Sequence, residues 1–351
     1  MTKITRHFGA LCLAGALAAS GASAQSNLTA ETASPGNSPH VSVLYLAEVA
    51  SEAGVANLQV QEGQTLTNSV LNVAEGRTDI SSMPLILGFL LEKGRGPYSK
   101  QGEKGAELAA NLRALYPYNA GAYGLIALES EGIDSWDKLK GKNVWNGPPR
   151  GAALVNARQA IVLASGLKDG DDYTGHQANW GQLPTTLVDG SMDAFVFPLT
   201  FPSARATTMQ AAGNVVIVST PKDTFESESY QNIFKAPGNV PIVVKWEDMG
   251  YEDGKGIRLV SEDGTFRGLG TAFTDVVNKS MPFETAKGLV AAYIANLDRL
   301  KAKTPYMKNV GLAELTPELS GFCGVNPVKY HPGAVAAWEE AGYTVPDCAK
   351  E

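Results

Sequence analysis

The order of strand-like and helix-like segments is the feature that most constrains how this chain folds. Short apolar or alternating stretches such as "ANLQVQEG" and "MDAFVFPL" are each followed by a stretch with helical spacing. Such an order is typical of α/β proteins with mainly parallel sheets, so we predict that class. The pattern weakens in the second half, where residues 221–267 are expected to be irregular and "PFETAKGLVAAYIANLDRLKAK" to form one long helix.

The N-terminus has the composition of a secretory signal. Lys3 and Arg6 precede an Ala-rich apolar stretch, and Ala22-Ser23-Ala24 follows it. We predict a signal peptide over residues 1–24, cleaved before Gln25, and therefore an exported, periplasmic protein. Cys12 leaves a lipoprotein signal open, although Leu11 precedes it where a small residue is usual.

Charge and cysteine content narrow the partner classes. Removing residues 1–24 takes away two cations and no anion, so the formal net charge moves from −7 to −9. An acidic protein is a poor nucleic-acid binder, because such binding requires positive charge against the phosphates. Cys323 and Cys348 are the cysteines that remain, and export favours a disulfide between them over two free thiols.

Motifs for catalysis or metal binding are missing. The sequence has no G-x-S-x-G elbow, no Walker A loop and no H-E-x-x-H. The histidines after the signal, His40, His176 and His331, are far apart, and we expect His331 to brace the C-terminal helix. We therefore expect no metal and no cofactor, and a binding protein rather than an enzyme.

Four turns between strands and helices share small, hydroxyl or amide residues: "SPGNSPH", "QEGQTLTNSV", "NGPPRGAAL" and "FPLTFPS". In the first turn Ser38 is expected to cap a helix and Pro39 to begin it. In open α/β sheets ligands bind at the carboxyl ends of strands, where helix N-termini offer N–H groups. The predicted ligand contacts are Asn37, Ser38 and His40 in the first turn, Gln64, Thr65 and Asn68 in the second, Arg150, Gly151 and Ala152 in the third, and Leu199 and Thr200 in the fourth. The guanidinium of Arg150 would grip a carboxylate, unless it is a solvated surface group.

The order of these motifs resembles the TAXI subfamily of solute receptors of TRAP-type transporters. The resemblance rests on "LTAETASPGNSPHVSVLYLAEVAS", "GQTLTNSV", "GRTDISSMPL", "IDSWDKLKGKNVWNGPPRGAAL", "LVDGSMDAFVFPLTFPSA" and "KYHPGAVAAWEEAGY". It implies a two-lobed type II periplasmic-binding-protein fold with hinge strands and the solute held between the lobes. It also implies delivery to TRAP membrane subunits and a small organic anion as ligand, a carboxylate of glutamate-like or 2-oxoglutarate-like form. The lobes would comprise residues 25–122 and 231–351 for lobe 1 and residues 123–230 for lobe 2.

The sequence departs from the family pattern in two turns. Asn37 stands where the family has a second glycine, and Pro39 and His40 replace its aromatic pair. In the third turn Pro149 and Arg150 enter where the family has Gly-Ser-Gly-Thr. Three other interpretations stay open: the binding subunit of an ABC importer, an exported enzyme, and a signalling receptor on the same scaffold.

Overall fold

The computed structural model of the protein describes residues 25–149 and 151–351, so the predicted signal peptide and Arg150 lie outside the described residues. The strands are β1 (Ser26–Glu31), β2 (Ala56–Gln61), β3 (Ile80–Pro84), β4 (Leu112–Leu128), β5 (Asn143–Trp145), β6 (Thr174–His176), β7 (Ala194–Leu199), β8 (Val215–Val218), β9 (Asn239–Lys245), β10 (Ile257–Val260), β11 (Thr265–Asn278) and β12 (Lys329–Tyr330). The α-helices are α1 (Ser38–Glu52), α2 (Leu66–Ala74), α3 (Leu85–Glu92), α4 (Lys104–Ala109), α5 (Ala152–Ser165), α6 (Leu183–Thr186), α7 (Ala204–Met209), α8 (Lys222–Glu226), α9 (Glu228–Ile233), α10 (Phe283–Ala295), α11 (Leu297–Lys303), α12 (Pro317–Ser320) and α13 (Pro332–Glu340).

The strands form one sheet whose main path runs β2-β1-β3-β11-β4-β7-β5-β6. At one end β2, β1 and β3 are mutually parallel and form what we call the first half-sheet. At the other end β7, β5 and β6 are parallel and form the second half-sheet, to which β8 and β10 add a parallel pair beside β4. The predicted α/β fold is therefore confirmed.

The long strands β4 and β11 join the two half-sheets, because β11 pairs with β3 of the first, β4 pairs with β7 of the second, and β4 and β11 pair with each other. The carboxyl end of β3 lies beside Phe273 of β11, whose partner in β4 is Tyr118. The carboxyl end of β7 reaches β4 from the opposite direction, at Ala122. The carboxyl edges of the half-sheets thus face each other across four residues of β4, or about 13 Å at the usual rise per residue.

A glycine marks the point on β4 between the facing edges. Gly121 has φ +89°, and a β-carbon there would collide with the carbonyl of Leu199. Its N–H donates to the side chain of Asn119, and the pairing of β4 with β11 shifts register between Gly270 and Ala272. Both joining strands are therefore irregular at the same level, which is where a hinge between the half-sheets would bend.

Helix boundaries follow local chemistry, and two of them differ from the prediction. Asn37, rather than Ser38, caps α1, because its side-chain oxygen accepts the N–H of His40. The predicted long helix is two helices, α10 and α11, separated at Asn296. Residues 221–267, expected to be irregular, contain α8, α9, β9, β10 and the start of β11. These elements are short, and although every second position of β9 is buried, its sequence NVPIVVK does not alternate apolar and polar residues.

The C-terminal segment is held at three points. His331 caps α13 through Nδ1, which accepts the N–H of Gly333, and its Nε2 lies 3.0 Å from the carbonyl of Met281. The expectation that His331 braces this helix is confirmed. Cys323 and Cys348 form the predicted disulfide.

No helix in the described part of the chain combines the length and apolar character needed to cross a bilayer.

The disulfide gives a first testable prediction. It joins residues 25 apart in sequence, and closing a loop of this size removes unfolded-state entropy worth about 3 kcal/mol. We expect the double variant Cys323→Ser, Cys348→Ser to lose about that much free energy of unfolding in urea titrations. Thiol labelling of the unreduced, unfolded protein should find no free thiol. Two labelled cysteines and an unchanged urea midpoint would contradict the assignment.

Candidate functional site

The structure places the predicted contact residues that it describes at the two facing edges. Asn37, Ser38 and His40 follow β1, and Gln64, Thr65 and Asn68 follow β2, all at the carboxyl edge of the first half-sheet. Gly151 and Ala152 follow β5, and Leu199 and Thr200 end β7, at the edge of the second half-sheet. Arg150 lies outside the described residues.

The first turn uses part of its polar groups for its own structure. The amide of Asn37 accepts from His40 N and donates to the carbonyl of Ser34, so this side chain is occupied. The hydroxyl of Ser38 is fully buried and has no partner among residues 25–149 and 151–351. His40 Nε2 lies 2.7 Å from Glu62 Oε2, whereas Nδ1 is buried without a partner. This edge therefore presents two unsatisfied polar groups rather than an open helix N-terminus.

Ser38 and His40 do not form a catalytic constellation with Glu62. A serine nucleophile needs a hydrogen bond to its base, yet the Ser38 hydroxyl and His40 Nδ1 both lack any partner. In the second turn Gln64, Thr65 and Asn68 are exposed, and Thr65 begins α2 without a side-chain cap. Their hydroxyl and amide groups are accessible from the side of the facing edge.

The turns of the second edge contribute chiefly backbone. Gly151 precedes α5 with φ +100°, and Ala152 is the first residue of that helix. The side chain of Leu199 is buried in the core, so that residue can offer only its backbone groups. Thr200 is half-buried and adds a hydroxyl.

A cation that the sequence analysis did not select lies just beyond the fourth turn. Arg205, in the first turn of α7, donates from Nη1 to the carbonyl of Pro198 at 3.0 Å. Its guanidinium lies 4.6 Å from the ring centre of Trp180 and 5.0 Å from that of Phe197. It forms no ion pair with any carboxylate of the described residues. The residue keeps some exposure, but burial of the guanidinium lowers its pKa to about 10.

Two further polar groups without partners lie around Arg205. The indole of Trp145 is 1% exposed and lies tilted against that of Trp180, with ring centres 5.2 Å apart. Its Nε1–H has no acceptor among the described residues. The hydroxyl of Tyr306 is also buried and has no partner in the described part of the chain. Burial raises the pKa of Tyr306, and the charge of Arg205 lowers it by a smaller amount. We call Arg205, Trp145 and Tyr306 the anion seat. A guanidinium and an indole only donate, so this set suits a group that only accepts, such as a carboxylate.

The site is therefore defined by unpaired polar groups rather than by an open cavity. Two surface cavities of about 300 and 400 Å³ lie elsewhere, one beside Tyr251 and one beside the Cys323 loop. Neither is lined by a predicted contact residue or by the anion seat. We place the site at the facing edges, because a buried cation without a counterion is costly and native proteins rarely keep one without a reason.

A metal site is not among the features of the described residues, which contain no group of three or more His, Cys, Asp and Glu side chains placed to hold an ion. The chemistry available at the facing edges is thus hydrogen bonding and charge.

Trp145 could have been selected from the sequence, since it ends a predicted strand immediately before the third turn. For Arg205, the one sequence feature that could have indicated a site residue is its position in the first turn of the helix that follows the fourth turn.

Comparison with solved structures finds distant likenesses to solute-binding proteins. Extracytoplasmic solute receptor DctP7 of Bordetella pertussis, described as binding pyroglutamic acid, is 12% identical, with 90% of this chain and 93% of that chain covered and a TM-score of 0.43. The ectoine-binding protein of the TeaABC TRAP transporter of Halomonas elongata is 13% identical, with 90% of each chain covered and a TM-score of 0.43. The aliphatic sulphonate binding protein SsuA of Escherichia coli is 11% identical, with 79% and 77% covered and a TM-score of 0.42.

These structural likenesses are too distant to carry an argument about ligand or partner, and no curated protein matches the sequence. The sequence profile of one family does match, under the description "NMT1-like family", over residues 32–245. That range covers more than half of the chain and includes both facing edges and the anion seat except Tyr306. The chain therefore belongs to the NMT1-like family.

Proposed function

We propose that this protein is a periplasmic solute-binding receptor of the TAXI type, without enzymatic activity, that captures a small organic anion between its half-sheets. The observation that carries the proposal is Arg205, a desolvated cation with no carboxylate partner among the described residues, next to unpaired groups of Trp145 and Tyr306. A bound carboxylate would supply the missing charge and accept the missing hydrogen bonds. Two parallel bonds from the guanidinium would fix its orientation.

The contact turns predicted from sequence fit this proposal as the remaining walls of the site. Ser38, Gln64 and Thr65 would meet the solute from the first half-sheet, and the backbone of Gly151 and the Thr200 hydroxyl from the second. Arg150 remains a second candidate for the anion. In this proposal, lobes 1 and 2, as predicted from the sequence, are the parts of the protein on either side of Gly121.

The proposed partner is the membrane part of a TRAP transporter. An ABC importer subunit is the alternative with the same ligand chemistry, and genes beside this one distinguish them: fused multi-span subunits indicate the first, an ATPase the second. An exported enzyme would need a general acid or base close to the bound anion. The histidines at the facing edges in the described part of the chain are His40, which is instead paired with Glu62, and His176 at the end of β6, whose Nε2 lies 3.0 Å from Asn143 Oδ1.

The direct test is to identify what the protein binds. Native mass spectrometry of the purified protein should detect a small acid in a 1:1 complex, and a thermal-shift screen of organic anions should find the same class. A ligand at one hundred times its Kd stabilises the fold by about 2.7 kcal/mol, which is readily measured. A screen in which neutral sugars or cations stabilise the protein and anions do not would refute the proposal.

Closure around the ligand is a second prediction. The half-sheets are joined by β4 and β11, which are both irregular beside Gly121, so rotation about this level would close the facing edges. Small-angle scattering should report a smaller radius of gyration with saturating ligand than without it. Scattering profiles that coincide with and without ligand would indicate a rigid site.

A further inference from the structure

The segment after α11 leads from the side of the first half-sheet to the side of the second, and we call residues 304–311 the strap. The helix before it is attached to α1, the helix that follows β1. Arg299 of α11 pairs with Glu48 of α1 at 2.5 Å. The hydroxyl of Tyr45, a buried residue of α1, donates to the carbonyl of Asn296 at 2.9 Å, immediately before α11. The strap therefore begins at a fixed point on the side of the first half-sheet.

The end of the strap passes the irregular level of the joining strands. The carbonyl of Val310, a fully buried residue, accepts the N–H of Asn119 on β4 at 2.8 Å. Gly311 follows with φ +61°, and a β-carbon there would lie 3.1 Å from the side-chain nitrogen of Asn119. The side chain of Asn119 also accepts the N–H of Gly121. The strap thus contacts β4 two residues from the glycine at which a hinge would bend.

One side chain of the strap bonds it to the second half of the protein. Asn309 donates from Nδ2 to the carbonyl of Phe201 and to the carbonyl of Asp248, both at 2.9 Å. An amide nitrogen carries two hydrogens, so both donors of this group are used. Phe201 is buried and follows Thr200 in the turn that leads to Arg205. The strap is therefore bonded directly to the fourth contact turn.

Both acceptors lie on the side of the second half-sheet. Tyr251, three residues after Asp248, accepts the N–H of Ser203 at 2.6 Å, so the loop of Asp248 is itself bonded to the turn before α7. The strap thus connects α1, across the level of Gly121, to the structure around β7 and α7. A rotation at Gly121 that separates the facing edges has to break the two bonds of Asn309 or detach α11 from α1.

Resting on the proposed function, we infer that Asn309 is a latch that holds the half-sheets in the closed arrangement before the solute arrives. Its two bonds raise the fraction of ligand-free protein in which the facing edges already oppose each other. Because only that fraction is ready to bind, the apparent affinity for the solute rises with it. Asn309 donates both amide hydrogens to the protein, so it is a positioning residue for the turn 200–205 and not a contact of the solute.

The test uses extensively dialysed, ligand-free protein, so it does not depend on the identity of the solute. Asn309→Ala should have a larger radius of gyration than the wild type in small-angle scattering, because the open arrangement becomes more populated. Hydrogen exchange of the Asn119 N–H, which is bonded to the strap, should be roughly threefold to tenfold faster, the factor that corresponds to the net free energy of one hydrogen bond. Asn309→Asp keeps the shape of the side chain without its donors and should show both changes.

The matched control is Asn278→Ala. The Asn278 amide also donates to two backbone carbonyls, those of Val73 and Ala74 at 2.9 and 3.3 Å, but this contact joins the end of β11 to α2 within the first half of the protein. The control should leave both the radius of gyration and the exchange rate of the Asn119 N–H unchanged. Circular dichroism checks that each variant is folded.

Failure of the latch can be told apart from failure of the proposed function. If folded Asn309→Ala has the radius of gyration and the Asn119 exchange rate of the wild type, Asn309 is no latch, while an anion receptor remains. Equal changes in Asn309→Ala and Asn278→Ala would also overturn the inference, because they would reflect lost stability rather than hinge opening. If the mass-spectrometric and thermal-shift screens find no anion, the proposed function is wrong, and the role of the latch in solute capture falls with it.

Discussion

Replacing Arg205 with methionine should weaken binding of the organic anion by roughly 2–5 kcal/mol, the range for removing one partner of a buried, hydrogen-bonded charge pair. The change in Kd is then between about thirty-fold and several thousand-fold. Methionine keeps much of the apolar stem that covers Trp180 and Phe197 but removes the charge and every donor. Arg205→Lys should recover only part of the loss, because an ammonium cannot make two parallel bonds to one carboxylate.

The matched control is Arg258→Met on β10. Arg258 is exposed and pairs with Glu129 at 2.7 Å, away from the facing edges, so its removal should leave Kd unchanged. Calorimetry with the ligand found by mass spectrometry measures both variants, and circular dichroism checks that each is folded. An unchanged Kd in Arg205→Met would mean that the anion is held elsewhere, with Arg150 as the next residue to test.

The sequence was sufficient for the fold class because α/β alternation is a local signal. Most strands and helices of the first half could be located from spacing alone, although α3 and β6 were not predicted, and the predicted contact turns fall at the facing edges. Local signals were insufficient where a helix boundary depends on which hydrogen bonds form in the folded turn. Asn37 and Ser38 are both good capping residues, and only the three-dimensional turn decides that Asn37 accepts the His40 N–H.

The joining strands show a different limit. "NLRALYPYN" and "AYGLIALES" read as two strands, yet they are one 17-residue strand, β4, which continues through Gly121. Its continuity depends on pairing with β11, a strand some 150 positions away in sequence. Likewise β9 forms against β11, and its exposed Val243 gives no clear alternation to detect.

The candidate site was found in part because turn composition reports where loops lie, but it cannot report whether a charge is paired. An arginine in the first turn of a short helix is usually solvated, and "SARATTM" contains nothing that distinguishes Arg205 from such a residue. Its significance arises from the absence of a carboxylate among its described neighbours, which is a property of the folded protein.

Replacing Asp275 with alanine should lower the free energy of unfolding by roughly 4–6 kcal/mol. Asp275 is fully buried on β11 and accepts hydrogen bonds from Ser42, Ser82, Tyr116 and Tyr118 at 2.7–3.0 Å. Alanine would leave the buried hydroxyls of Ser42, Tyr116 and Tyr118 without their acceptor, at about 1 kcal/mol or more for each, and would add a small cavity. Ser82 would keep its second acceptor, the carbonyl of Pro39. Ser42→Ala, which removes one donor of the four, is the graded control and should cost about 1 kcal/mol. A loss under 2 kcal/mol for alanine at Asp275 would contradict this account.

The Asp275 carboxyl also leads us to predict how the free energy of unfolding depends on pH. The groups that face Asp275 are the Ser42 hydroxyl from α1, Ser82 from β3, Tyr116 and Tyr118 from β4, and Tyr293 of α10, whose ring stacks on Tyr116 at 3.7 Å. None is a cation, and burial raises the pKa of Asp275 above its ordinary value of 3.8.

A carboxyl whose pKa is higher in the folded state than in the unfolded state favours folding when protonated. Its contribution is fully present below pH 3.8 and is lost as pH rises through the raised, folded-state pKa. Asp275→Asn has no proton to release there, so the stability of the wild type relative to Asp275→Asn should decline as pH rises through that window. Urea titrations of both proteins from pH 3 to pH 8 measure the difference, in which the titration of all other groups cancels. A difference that stays constant with pH would mean that the four hydroxyls hold the ionised carboxylate as well as water does, and that the core beside the hinge carries a permanent negative charge.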